Sequence, residues 1–164
     1  MPSLMKSIII YYSYSGNTKK VAGILSEYLK TKGQVDEIEL VALDESKSFF
    51  GQGRRSFIHA RAKIAPVNFD LSGYDLICLG SPVWAFAPTP AMNAYLYKCS
   101  GLGGKELILF TTYGGGIGNK RCLNYMEHIL AKKGARSFKR FSIQQFKAED
   151  QEFVLAKIRE LARL

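Results

Sequence analysis

The sequence predicts an α/β fold: a doubly wound parallel sheet of five strands in the order 2-1-3-4-5, with helices on both faces. Three observations carry this expectation. Strand-like and helix-like segments alternate from end to end, which implies parallel strands joined by right-handed crossovers. The runs Ile8-Ile9-Ile10-Tyr11-Tyr12, Leu76-Ile77-Cys78-Leu79 and Leu107-Ile108-Leu109-Phe110 are continuously apolar, as expected of strands buried on both faces. The stretches at 35–41 and 138–146 carry charge, which suits the two edges. The alternative doubly wound order needs a sixth strand, for which the sequence offers no candidate. At 164 residues the chain has the usual size of one fold, so 1–164 is read as a single domain.

Each element follows from its residues. After the first strand, a helix over about 18–32 puts Val21, Ile24, Leu25, Tyr28 and Leu29 on one face. Gly33 stands where a helix stop is expected, and a strand of mixed polarity follows at 35–41. The stretch 42–67 is too long and too charged for a plain crossover. Its Phe49-Phe50 and Phe57-Ile58 pairs, with Arg54, Arg55 and Arg61, predict a short amphipathic helix over the site or the surface. The third strand leads through a loop at 80–90 into a helix carrying Met92, Leu96 and Cys99 inward. The fourth leads through a glycine loop into a helix over about 120–132, which buries Leu123, Met126 and Leu130 and stops at Gly134. The fifth strand bears Lys139 and Arg140, and a last helix from about Glu149 packs Val154, Ile158 and Leu161.

Composition narrows the function classes. Hydrophobic residues make up 47% and charged residues 23%, an ordinary soluble globular balance. The longest apolar runs are too short for a transmembrane helix, and the first residues lack the apolar stretch of a signal peptide. Cys78, Cys99 and Cys122 show no paired spacing and read as reduced thiols, with Cys78 a small buried hydrophobe in its strand. No metal site is expected, and the cytoplasm is the expected location. The net charge of +9 points to an acidic partner, an anionic surface or plain solvated charge. No nucleic-acid module is present, and the basic clusters are not interleaved with aromatics.

Three loops at the carboxyl ends of the inner strands carry the chemistry. In the first, Ser13-Tyr14-Ser15-Gly16-Asn17-Thr18 joins a buried strand to a helix start. Free N–H groups and the helix dipole favour an anion there, and the hydroxyls and the Asn17 amide can fill its remaining oxygens without Lys or Arg. The second holds Ser81-Pro82-Val83-Trp84-Ala85-Phe86, a rigid loop whose Trp is suited to a flat aromatic ring. The third, Thr112-Tyr113-Gly114-Gly115-Gly116, lets backbone N–H groups reach polar ring edges. All three meet where the winding direction of the sheet switches, the usual ligand site of such sheets.

Together these loops resemble those of the flavodoxin-like family of FMN-binding proteins, a likeness that spans essentially the whole chain. Flavodoxins are among the folds that exemplify the switch-point rule, so the rule adds no independent weight. The resemblance implies that Ser13, Tyr14, Ser15, Gly16, Asn17 and Thr18 hold the FMN phosphate. Trp84 with Val83 and Ala85 lines one side of the ring, and Tyr113 with the amides of Gly114 to Gly116 meets its other side or polar edge. Function is then electron transfer through non-covalent FMN, with no catalytic side chain. An FMN-dependent NAD(P)H:quinone-type oxidoreductase is the alternative, with a second-substrate pocket roofed by residues 49–61. The partner is a redox protein, acidic to match the basic chain, or a small electron acceptor; the protein is a monomer or a homodimer. None of the three loops contains Asp or Glu. Carboxylates oppose the negative charge that reduction brings, so a potential less extreme than that of an acidic site is expected. The basic net charge departs from the acidic flavodoxin carriers, and the length matches the short form of the family.

Related folds are excluded by the same positions. A receiver domain needs acidic residues where Tyr12-Ser13 and Gly80-Ser81 stand. A low-molecular-weight phosphatase needs a cysteine in the first loop. GxxxxGK[ST] and GxGxxG are both missing. His59 and His128 are isolated and read as surface or packing residues.

Overall fold

A computed structural model of the protein describes residues 3–44 and 61–162. Among them the chain runs β1 (Met5–Tyr11), α1 (Asn17–Lys30), β2 (Gly33–Glu39), β3 (Leu76–Trp84), β4 (Ala87–Pro88), α2 (Pro90–Lys98) and β5 (Glu106–Tyr113). It continues through α3 (Asn119–Lys132), β6 (Ser137–Gln144), a 3-10 turn (Gln145–Lys147) and α4 (Gln151–Leu161). The parallel strands lie in the order β2-β1-β3-β5-β6, which is the predicted arrangement. β4 is an addition: it folds back antiparallel on the end of β3.

Successive strand residues face opposite layers, and the inner strands are apolar on both. Ile8 and Ile10 of β1 pack with Ile77, Leu79, Leu107 and Leu109 against α2 and α3, through Met92, Leu96, Leu123, Met126 and Leu130. Ile9 and Tyr11 pack with Cys78, Ile108 and Phe110 against α1 and α4, through Val21, Leu25, Leu29, Val154 and Ile158. Ile8, Ile9 and Ile10 are fully buried, and each contributes about 1.5–3 kcal/mol by leaving water. β2 and β6, the charged strands, form the edges. The ladders begin at the pairs Met5–Gly33, Ser7–Leu76, Leu76–Glu106 and Glu106–Ser137.

Several expectations change in detail. Gly33 does not stop α1, which ends at Lys30 with Thr31 as its cap. Gly33 opens β2, and a Cβ there would lie 2.0 Å from the Met5 carbonyl oxygen, so close strand approach requires the glycine. Gly134 does follow α3 with a φ of 97°, as expected. The loop at 80–90 is largely β3 itself, which continues to Trp84 and turns back through β4. The amphipathic helix predicted around Phe49–Ile58 lies outside the described residues, as does His59. Its flanks meet: Leu43 N–H donates to the Lys63 carbonyl at 2.8 Å, and Ala65 N–H to that of Val41 at 2.9 Å.

Part of the basic excess is structural. Lys105 Nζ donates to the carbonyls of Leu71, Ser72 and Tyr74 at 2.9, 2.7 and 2.6 Å. Lys133 Nζ donates to those of Tyr97 and Cys99. Arg140 lies 3.1 Å from Glu127, and Lys139 lies 3.4 Å from Glu106. No helix among the described residues is long and apolar enough to cross a membrane.

Candidate functional site

β1 ends where Tyr12 N–H donates to the Gly80 carbonyl at 3.1 Å. The chain then leaves the sheet and enters α1 through Gly16, whose φ is 93°. A Cβ at Gly16 would meet nothing within 4 Å, so the backbone conformation, not space, selects glycine. Ser13 Oγ accepts from Lys19 N–H at 3.2 Å, and the Asn17 amide donates to Ser15 Oγ at 3.1 Å. The N–H groups of Asn17 and Thr18 have no acceptor among the described residues, as the first turn of a helix dictates. The first turn of α1 carries no acidic residue, so its positive dipole end is uncompensated. The nearest lysines point elsewhere: Lys19 pairs with Glu39 and Lys20 with Glu149.

Thr18 has a different role from its neighbours. Its hydroxyl is buried and lies 2.7 Å from that of Thr112 in β5. The first loop is thereby fastened to the third beneath the surface.

β3 outlasts β1 and continues beside β5, with Ser81 opposite Thr111 and Pro82 opposite Thr112. The backbone groups of residue 82 face the same way as those of Gly80, past the end of β1, so a missing N–H is tolerated there. Ser81 is fully buried. Its Oγ accepts from Thr89 N–H at 3.0 Å and donates to the Pro82 carbonyl, and Thr89 in turn caps α2. Ser81 therefore anchors the hairpin rather than facing a ligand. Ala85 and Phe86, with φ of 47° and 66°, form the two-residue turn between the paired Trp84 and Ala87. Two consecutive positive φ values mark a type I′ turn, whose usual residues are Asn and Gly.

A cleft of about 510 Å³ opens between these loops. Tyr14, Ser15 and Asn17 form its anion end; Pro82, Val83, Trp84 and Ala85 form one wall; Thr112, Tyr113 and Gly114 form the other. The Trp84 ring is held edge-on by Tyr12 and Tyr14, at centroid distances of 5.9 and 5.5 Å. Ser13, Gly16, Thr18 and Ser81 support these walls without lining the cleft. Phe86 and Gly116 line a smaller adjoining hollow of about 180 Å³, while Gly115 lines neither. Sequence reasoning missed Gln145, which lines the cleft from the turn after β6 and lies beside Gly114. Its only signal was a polar residue at the carboxyl end of the last strand. The lining contains no ionisable carboxylate, Lys or Arg.

A family model described as flavodoxin matches residues 6–140. The chain belongs to the flavodoxin family. Solved structures agree on the flavodoxin fold. A flavoprotein of Bacteroides uniformis is 18% identical with a TM-score of 0.71, covering 94% of this chain and 98% of its own. One of Bacteroides eggerthii is also 18% identical, with a TM-score of 0.69 and coverage of 96% and 98%. A flavoprotein of Lactobacillus acidophilus, solved in complex with FMN, is 19% identical with a TM-score of 0.61 and coverage of 90% and 97%. At these identities the likeness is one of fold. No curated protein is found that matches the sequence.

Proposed function

We propose that this flavodoxin binds FMN non-covalently and serves as an electron-transfer protein. One observation carries the reading: an uncharged anion cradle opens directly into an aromatic-walled cleft. The N–H groups of Asn17 and Thr18 and the hydroxyl of Ser15 suit a phosphate. The cleft of about 510 Å³, walled by Trp84 and Tyr113, suits a flat ring. A phosphate ester of an aromatic ring system fits both ends at once. FMN supplies an isoalloxazine ring that accepts and returns electrons.

The protein's own residues do the rest. Trp84 and Tyr113 would flank the ring and limit water around it. Gly114 and Gln145 would offer polar groups at its edge. With no carboxylate in the lining, the site opposes added negative charge less than an acidic one would. The chain's charge of +9 supports an acidic redox partner, and the cytoplasm is the proposed location.

The test begins with colour. A yellow preparation that releases FMN on denaturation supports the reading; a colourless one that refuses added FMN defeats it. Anaerobic NADPH then separates carrier from enzyme. Rapid bleaching with turnover of a quinone would replace the carrier with the NAD(P)H:quinone-type oxidoreductase.

A further inference from the structure

The hairpin tip beside the cleft is built on strained backbone. Ala85 and Phe86 are the only non-glycine residues with positive φ among the described residues. Such a conformation costs an L residue about 1–2 kcal/mol, and strain of this kind collects at functional positions. The strained turn leaves the Phe86 ring 39% exposed. Beside it Ile117 is 87% exposed. Gly118 makes room for the ring: a Cβ there would lie 2.6 Å from Phe86 Cδ1. The Arg121 guanidinium stands 6.0 Å from the ring centroid.

The two loops that form this tip carry charge of one sign. Lys120 and Arg121 are exposed and have no carboxylate partner among the described residues, whereas Lys19, Lys20 and Lys147 are paired. No Asp or Glu occurs in 80–90 or 111–121. The small hollow between Phe86 and Ile117 shares Val83, Ala85, Tyr113 and Gly114 with the main cleft.

We propose that Phe86, Ile117, Lys120 and Arg121 form the docking epitope for a redox protein whose contact face has an apolar centre ringed by carboxylates. This deepens the electron-transfer reading and rests on it. Phe86 and Ile117 supply the apolar contact, and the two cations select the sign of the partner. The shared walls put a partner seated here next to the cleft. The backbone strain then has a use: it fixes the direction of the Phe86 ring before the partner arrives.

The test uses stopped-flow electron exchange between the FMN-loaded protein and an acidic plant-type [2Fe–2S] ferredoxin, at low and high salt. Three variants are compared: Lys120→Glu with Arg121→Glu, Ile117→Ser, and a control, Lys132→Glu with Arg136→Glu, at the opposite end of α3. Exchange by the unaltered protein should slow with salt. The first variant should lose about tenfold in association rate at low salt and most of its salt dependence. Ile117→Ser should slow exchange while leaving the salt dependence intact. The control should change little. The proposal is overturned if the control loses as much as the epitope variant, if all variants match the unaltered protein, or if the unaltered protein shows no salt-dependent exchange. Flavin content and the visible spectrum are measured on every variant. Failure to take up FMN counts against the cofactor reading alone, since calorimetric binding of ferredoxin to the colourless protein still reads the epitope.

Discussion

Replacing Ala85 with glycine should make the protein more stable, although it removes a side chain. At a φ of 47° the alanine Cβ is unfavourable, and relief of that contact is worth about 1–2 kcal/mol. Glycine gives back about 0.5–1 kcal/mol through the greater freedom of the unfolded chain. The net gain is about 0–1.5 kcal/mol, with a middle value of about 0.75 kcal/mol. Urea unfolding of the cofactor-free protein measures it without the contribution that a bound ligand adds. With a slope of about 1–3 kcal/mol per molar urea, that middle value raises the midpoint by roughly 0.25–0.75 M with no change of slope. Phe86→Gly relieves the same kind of strain but loses the ring's packing over Gly118, so its midpoint should rise less or fall. An Ala85→Gly midpoint below that of the unaltered protein would refute the assignment of strain to this turn.

Other perturbations separate the roles of neighbouring residues. Ser15→Ala should weaken FMN by about 1–3 kcal/mol and leave riboflavin, which lacks the phosphate, unchanged by the same titration. Thr18→Val should instead lower the stability of the cofactor-free protein, because the Thr18 hydroxyl is tied to Thr112. Lys105→Met leaves three backbone carbonyls without their ammonium donor, and a loss of about 1–3 kcal/mol in urea unfolding is expected. Burial raises the thiols of Cys78 and Cys122, raises that of Cys99 to about 11, and raises the phenols of Tyr11 and Tyr95. The unfolded chain gives up these protons first, so stability is complete below the ordinary thiol value of 9.0 and declines as pH rises toward the folded values. A urea midpoint that stays level from about pH 8 to pH 10.5 would contradict this sign.

Most of the fold was legible because burial leaves a periodic mark. The three apolar runs placed the inner strands, and Lys139 and Arg140 marked an edge. Helical spacing in 18–32 and 120–132 marked the faces that Leu25 and Met126 bury. The hairpin was not legible. The stretch with Pro82 reads as a rigid loop, yet β3 runs on through it because the side of Pro82 that lacks a donor lies past the end of β1. Ala85-Phe86 bears none of the Asn or Gly that usually announces such a turn. In the site, the type of residue was legible but not its direction. From the sequence, Ser13 and Thr18 look like ligands for an anion, and Ser81 like a member of the ring-binding loop. The structure turns their hydroxyls to Lys19 N–H, Thr112 and Thr89 N–H. Gln145 was missed for the converse reason, since a lone amide outside any motif has no signature until the sheet brings it to the cleft.

The strand registers also predict an order of assembly. Met5 meets Gly33, Leu76 meets Glu106 and Glu106 meets Ser137, each across roughly thirty positions of chain, whereas Ser7 meets Leu76 across roughly seventy. Two locally wound halves can form early, and the β1–β3 ladder that joins them is the longest closure. Ile10→Val, opposite Leu79 on that ladder, should therefore mainly speed unfolding; a chevron in which it mainly slows folding would reverse the order. The cleft lies along this seam, so the flavodoxin acquires its binding site only when its halves meet.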